Sequence, residues 1–375
     1  MTDQPASSVR RILLTTDSVG GVWTYTTTLC RELEPRGVEV VLATMGPAPD
    51  SDQRRALPGN VTLCESTFRL EWMDEPWDDV RRAGDWLLEL ERRHEPEVVH
   101  LNAYAHGALP WRGPALVVAH SCVLSWWQEV RGGEVPSHWK HYAEAVRAGV
   151  AAARRVVAPT RWMAATVQQL HGPLAAVEVI PNGLPARRAP AGEKEPFILG
   201  VGRLWDDAKN YRLLAGTGQP LPWPVRLAGD ARSPDGSTND IPGLEFLGRL
   251  PPEEVERLCD RAAIFVLPAR YEPFGLAVLE AAHAGCALVL GDIPSLRENW
   301  QDAAVFVPVD DPAALRSELC RLAAGSLSQR ELGALAQKRA AEFSAARMAE
   351  SYLNLYDTLR GETSAMGAPA LAASR

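Results

Sequence analysis

Short β-branched runs alternate with amphipathic stretches along most of the chain. The runs are RRILLTT (10–16), VEVVLAT (38–44), EVVHL (97–101), ALVVAH (115–120), RVVAP (155–159) and AVEVIP (176–181). Between them, residues 22–36, 78–94, 137–153 and 161–171 place apolar positions at the three-and-four spacing of a helix with one buried face. Strands alternating with helices predict βαβ units and a mostly parallel sheet. The runs are continuously apolar, as strands covered on both faces must be.

The pattern breaks at PNGLPARRAPAGEKEP (181–196), which has neither period and reads as an interdomain linker. It restarts with FILGVG (197–202), VRLAGD (225–230), LEFLG (244–248), AIFVLP (263–268), CALVLG (286–291) and AVFVP (304–308). Helical patterns at 251–262, 275–285, 311–324 and 327–342 fill the gaps. The expected architecture is therefore two successive α/β domains, each a doubly wound parallel sheet, over 1–185 and 186–344. A further helix at 345–360 follows a domain that is already complete, and is expected to cross back over the interface. A small polar tail closes the chain at 361–375. The length of 375 residues agrees with two domains at roughly 150 residues each. No period of 20 to 50 residues repeats, which argues against a solenoid.

Composition narrows the function classes. Hydrophobic residues make up 46% and charged residues 23%, which excludes wholesale disorder. Lys+Arg number 39 against 47 Asp+Glu, a net charge of −8, so no general phosphate footprint for nucleic acid is expected. No apolar run reaches the ~18 residues of a membrane-spanning helix. The opening MTDQPASSVRR has no apolar stretch, so no secretory signal is expected. Six cysteines (Cys30, Cys64, Cys122, Cys259, Cys286, Cys320) stand far apart without a CxxC pair. They read as reduced thiols in a cytoplasmic protein, without a zinc site of ordinary spacing.

Ligands of doubly wound sheets bind beyond the carboxyl ends of the strands, so loops there carry the chemistry. The stretch YEPFGLAVLE (271–280) follows the strand AIFVLP directly. Pro273 restricts the backbone, and Phe274, Gly275 and Leu276 open a helix whose free N–H groups and dipole form an anion site. Glu272 stands just before that helix and Glu280 inside it. A carboxylate beside an anion site suits sugar hydroxyls better than the anion; the plainer reading is a helix-start acid and a surface acid. In GVGRLWDDAKN (200–210), Arg203 and Lys209 supply a fork and a point charge suited to a diphosphate, unless they pair with Asp206 and Asp207 at the surface. In DSVGGVWTY (17–25), Gly20 and Gly21 permit close backbone approach to a ligand but do not make a GxGxxG dinucleotide motif. His120 ends the strand ALVVA. Trp126, Trp127 and Trp139 follow it, suited either to stacking on the apolar faces of acceptor sugar rings or to core packing. His100 and His106 are open between core and acceptor side. Arg154 and Arg155 form either a basic strip for an acidic acceptor or a solvated face. Asp206-Asp207 and Asp310-Asp311 read as helix-start acids rather than metal ligands. Pro181-Asn182-Gly183 is a tight turn and a hinge candidate.

Taken with its neighbours, Glu272-Pro-Phe-Gly-Leu-Ala-Val-Leu-Glu280-Ala-Ala resembles the hallmark of the retaining glycosyltransferases of family four, which have the GT-B fold. Gly285 and Glu298 also fall where that family has them, and the resemblance covers nearly the whole chain. Pro273 replaces a more usual Gly, Cys286-Ala287 a usual Pro-Val, and Lys209 follows Arg203 by six residues rather than five. The resemblance implies a metal-independent transferase that moves a sugar from a nucleotide-diphosphate sugar, of UDP or GDP type, to a hydroxyl acceptor. It implies that Arg203 and Lys209 hold the diphosphate, Glu272 the transferred sugar and Glu280 the ribose. Gly20 and Gly21 would border the donor phosphates, and His120 would stand near the C6 side of the donor sugar. A sugar phosphorylase or nucleotide-sugar epimerase on the same architecture is the alternative, and a non-catalytic sugar-nucleotide binder a third.

Overall fold

The computed structural model describes residues 9–174, 176–187, 192–216, 220–232 and 243–367. Part of the linker, residues 233–242 and the end of the tail lie outside these. The first half runs β1 (Arg11–Asp17), α1 (Gly21–Leu33), β2 (Glu39–Met45), α2 (Ser51–Arg55), β3 (Val61–Glu65), α3 (Trp77–His94) and β4 (Val98–Leu101). It continues through β5 (Ala115–Val118), α4 (Val123–Val130), α5 (Lys140–Ala152), β6 (Arg155–Ala158), α6 (Arg161–His171) and β7 (Val177–Val179). The second half runs β8 (Glu195–Val201), α7 (Arg212–Ala215), β9 (Val225–Ala228), β10 (Glu245–Gly248), α8 (Pro252–Arg261) and β11 (Ala262–Leu267). It ends with α9 (Leu276–His283), β12 (Ala287–Gly291), α10 (Pro294–Trp300), β13 (Ala304–Val307), α11 (Pro312–Ala324), α12 (Ser326–Ala340) and α13 (Ala345–Gly367).

Each half builds one parallel sheet. The strand orders are β3-β2-β1-β4-β5-β6-β7 and β10-β9-β8-β11-β12-β13. Strand order reverses beside β1 in the first sheet and beside β8 in the second, so the crevices open between the carboxyl ends of β1 and β4 and of β8 and β11. The central strands are buried throughout, from Ile12 to Leu14 and from Ala262 to Leu267. Several elements escape the sequence pattern, among them α2, α4, α7, β3 and α10. The edge strand β3 mixes half-buried and exposed positions and so lacks a continuous apolar run. The helix α10 has only seven residues, too few to display a helical period. The predicted 137–153 helix begins as a 3-10 turn at Ser137–Trp139.

The helix α13 belongs to the first domain's core, although it follows the second domain. Met348, Tyr352 and Tyr356 pack with Tyr25, Leu29 and Leu33 of α1. Arg154 and Arg155 pair with Glu362 at its far end, so they serve an intramolecular contact. The two chain crossings between domains run side by side. Leu184 donates its N–H to Phe343 O (3.1 Å) and accepts from Ala345 N–H (2.8 Å). A Cβ at residue 183 would lie 2.3 Å from Ser344 O, so this close pairing requires Gly183. All six cysteines are free. Among the described residues no helix is long and apolar enough to cross a membrane.

Candidate active site

The loop between β11 and α9 is pinned from every side. The Tyr271 hydroxyl accepts the Cys122 N–H (3.0 Å) and lies 2.9 Å from Ser125 Oγ. The Pro273 carbonyl accepts from Thr160 Oγ1 (3.1 Å), the Glu272 carbonyl from Ser295 Oγ (2.6 Å) and the Phe274 carbonyl from Asn299 Nδ2 (3.1 Å). Three of these bonds come from the first domain, so the loop is also part of the seam between the halves. Phe274 is buried and packs edge-on against Phe343, so only its backbone is available to a ligand. Gly275 caps α9 at φ 91°, and Leu276 reaches toward Gly21.

With the backbone fixed, the Glu272 side chain meets Lys209: Nζ lies 2.5 Å from Oε2, and both side chains are about 15% exposed. Lys209 ends a 3-10 turn capped by Asp206, whose Oδ1 accepts from Ala208 N–H (3.0 Å). The same carboxylate takes Trp126 Nε1–H across the seam (3.1 Å) and Arg203 through its other oxygen (2.8 Å). Asp206 is thus a buried junction rather than a solvated acid, while Asp207 pairs with Arg131 of the first domain at 2.6 Å. The Arg203 side chain remains 44% exposed toward the cleft.

Glu280 has no ion pair or side-chain hydrogen bond among the described residues. Burial pushes its carboxyl up to about 7; Arg187 opposes this and Glu256 adds to it. Arg187 is itself engaged by Glu256 and Asp260. The two glutamates of the motif therefore differ in kind, one paired with a lysine and one alone.

The first domain contributes the opposite wall. Asp17 ends β1; its Oδ1 accepts from Val19 N–H at 2.7 Å. Burial raises its carboxyl to about 6, against the lowering effects of that N–H and of Arg203, which faces it from the second domain. Gly20 follows at φ 74° and ψ −142°, a conformation that a Cβ disfavours, and caps α1. His120, just beyond β5, places Nε2 2.9 Å from Asn102 Oδ1 and takes the edge of the Tyr25 ring at a centroid distance of 4.6 Å. Burial drives its pKa down to about 3, so the ring is neutral. Asp17 and Asn102 carry no assignment in the sequence reading. Their only signal there is a polar residue at the carboxyl end of a strand.

The remaining candidates meet other protein groups. Trp126 spends its N–H on Asp206, with the Arg131 guanidinium 5.5 Å from its ring. Trp139 packs on the core and meets Tyr142 edge-on. The Trp127 and Trp139 indole nitrogens are buried without a partner. His100 is buried between the Tyr25 and Tyr356 hydroxyls, and His106 bonds Val80 O. Arg203, Lys209, Glu272, Gly20, Gly21, His120 and the start of α9 remain around the two crevices.

Residues 19–188 match the family described as Glycosyltransferase Family 4, and residues 195–324 match Glycosyl transferases group 1. The chain belongs to the family 4 glycosyltransferases. The two matches fall on the two sheets, one on each. A glycogen synthase of Mycobacterium tuberculosis is 28% identical over 399 aligned residues, covering 90% of this chain and 91% of that protein. Among solved structures, sucrose-phosphate synthase from Thermosynechococcus elongatus superposes with a TM-score of 0.80 at 18% identity, covering 94% of this chain and 100% of that one. Anabaena HepE in complex with UDP and glucose gives 0.73 at 14% identity, over 93% and 100%. This family 4 glycosyltransferase thus has the two-sheet GT-B architecture of those enzymes.

Proposed function

We propose that this glycosyltransferase is retaining and metal-independent, and takes its sugar from a nucleotide-diphosphate donor held mainly by the second domain. The observation that carries the reading is the Lys209–Glu272 pair beside Arg203 at the mouth of the β8/β11 crevice. Arg203 and Lys209 hold the diphosphate and offset the charge that grows on its leaving oxygen, the task a divalent ion performs elsewhere. N–H groups at the start of α9 add to that. Glu272, oriented by Lys209, accepts hydroxyls of the transferred sugar, and Glu280 binds the ribose. His120 approaches the sugar from the first domain, which also receives the acceptor beside Asp17 and Gly20-Gly21. The acceptor attacks from the face the leaving group departs, and its proton passes to the leaving phosphate. No side-chain nucleophile takes part.

A thermal-shift panel of UDP, GDP, other nucleoside diphosphates and inorganic phosphate tests the donor class. A ligand at ~100 times its dissociation constant adds roughly 2.7 kcal/mol of stability. One nucleoside diphosphate is expected to stabilise the protein and inorganic phosphate alone to have little effect. With a turned-over donor, activity is expected to persist in EDTA and the product to keep the donor's anomeric configuration by NMR. Loss of activity in EDTA with recovery on adding Mn²⁺ or Mg²⁺ overturns the metal-independent mechanism.

A further inference from the structure

The polar groups behind His120 determine more than its position. Asn102 stands directly after β4, and its side-chain N–H donates to the Thr15 carbonyl oxygen (2.7 Å) and to Thr26 Oγ1 (3.2 Å). A backbone carbonyl can only accept, so turning the amide over would set two oxygens against each other at hydrogen-bond distance. The Asn102 backbone N–H donates to Thr15 Oγ1 (2.9 Å), which holds the residue from its other side. The amide oxygen is therefore the atom that faces His120 Nε2, at 2.9 Å. An amide oxygen also only accepts, so the proton between them belongs to Nε2. Burial keeps the ring neutral, and a neutral imidazole has one N–H. Nδ1 is left as a bare lone pair with no hydrogen bond from any described residue, on a side chain at the carboxyl end of β5.

We propose that Asn102 is a positioning residue that locks His120 in the Nε2–H tautomer, so that His120 offers the cleft a hydrogen-bond acceptor and never a donor. The occupant must bring an O–H to Nδ1. A sugar with a free hydroxymethyl group meets that demand, whereas one oxidised there to a carboxylate sets anion against lone pair. The tautomer stands on the amide geometry and on a buried, neutral ring; its use in choosing a sugar rests on the proposed function.

Nitrogen-15 NMR of the full chain labelled at histidine tests the first point. The His120 signal is assigned by its loss in His120→Gln, and two-bond N–H correlations distinguish the tautomers. A single Nε2–H form is expected in the native protein and a mixture in Asn102→Ala. An Nδ1–H form in the native protein, or an unchanged spectrum in a folded Asn102→Ala, overturns the proposal. In turnover, Asn102→Ala is expected to lower kcat about tenfold, the scale of one hydrogen bond. Binding of the bare nucleoside diphosphate should not move. The native protein is expected to prefer a nucleotide-diphosphate hexose to the matching hexuronate, and equal use of both overturns the acceptor role of Nδ1. A locked tautomer in a protein that turns over no nucleotide sugar removes the proposed function and leaves the Asn102–His120 pairing standing.

Discussion

Glu272 and Glu280 lie eight residues apart and should respond differently to the same substitution. Glu272→Gln keeps the shape but loses the charge that pairs with Lys209 and favours positive character at the reacting sugar carbon. It is expected to lower kcat strongly and leave nucleoside diphosphate binding nearly unchanged. Glu280→Gln removes a group that does not change during reaction, so it should raise donor KM and weaken the nucleoside diphosphate by about 1 to 3 kcal/mol. Equal binding losses by calorimetry would show that the roles are wrongly divided. Glu280 also carries a stability signature. Its folded pKa of about 7 exceeds the ordinary 4.5, so folding takes up a proton between those values. Stability therefore falls as pH rises through that window and is lowest above it. Glu280→Gln should exceed the native protein in denaturation midpoint at pH 8, the advantage vanishing near pH 4. Arg203→Ala is expected to cost on the order of 3 kcal/mol in kcat/KM. The fold should survive it, because Asp206 keeps the bonds from Trp126 and Ala208. Wild-type kcat/KM in that variant removes the diphosphate role.

At the scale of elements, α6 shows how the halves are joined. Its cap residue, Thr160, accepts from Met163 N–H, while Glu298 of α10 accepts from Arg161 N–H (2.8 Å) and Trp162 N–H (2.9 Å). A helix start of the first domain is thus satisfied by a carboxylate of the second, where the dipole adds to the bonds. Glu298→Ala should cost about 1 to 2 kcal/mol and speed hydrogen exchange at Arg161 and Trp162. Unchanged exchange at both amides would mean that the clamp is unused in solution. Tyr271→Phe leaves the buried Cys122 N–H without its partner and should cost about 1 to 3 kcal/mol by denaturant titration. Glu298 is legible in the sequence as a family position, yet its use as a helix cap across the seam is not. Capping by a residue 137 positions away has no local pattern.

For the whole molecule, α13 makes the first domain depend on chain that follows the second. Two contacts near its end should differ sharply in worth. Tyr356 donates or accepts at 2.6 Å with Nδ1 of the fully buried His100, so Tyr356→Phe should cost about 1 to 3 kcal/mol. Glu362 meets Arg154 and Arg155 at the surface, where such pairs contribute about 0 to 1 kcal/mol, so Glu362→Ala should scarcely move the denaturation midpoint. A larger loss for Glu362→Ala than for Tyr356→Phe would show that the helix is held by its charges and not by its packing.

The sequence by itself determined what short-range periodicity can encode. Continuous apolar runs marked the buried strands, three-and-four spacing marked the long helices, and the break after residue 181 separated two sheets. The Glu272–Glu280 stretch carried its own chemistry because it is one loop and one helix start, contiguous in the chain. Tertiary structure alone decided the partners. Asp206 read as a helix-start acid and does cap its turn, but it is also a buried junction, because α4 of the other half lays Trp126 on it. Asn102 and Asp17 looked ordinary and came to stand behind His120 and across from Arg203, because strand order sets β4 between β1 and β5 and the seam brings Arg203 to the end of β1. Separations of 87 residues between Asn102 and Thr15, and of 256 between Tyr356 and His100, are closed by sheet topology and a crossing helix. Such pairings leave no period in the chain, since a hydrogen bond constrains two ends and nothing between them.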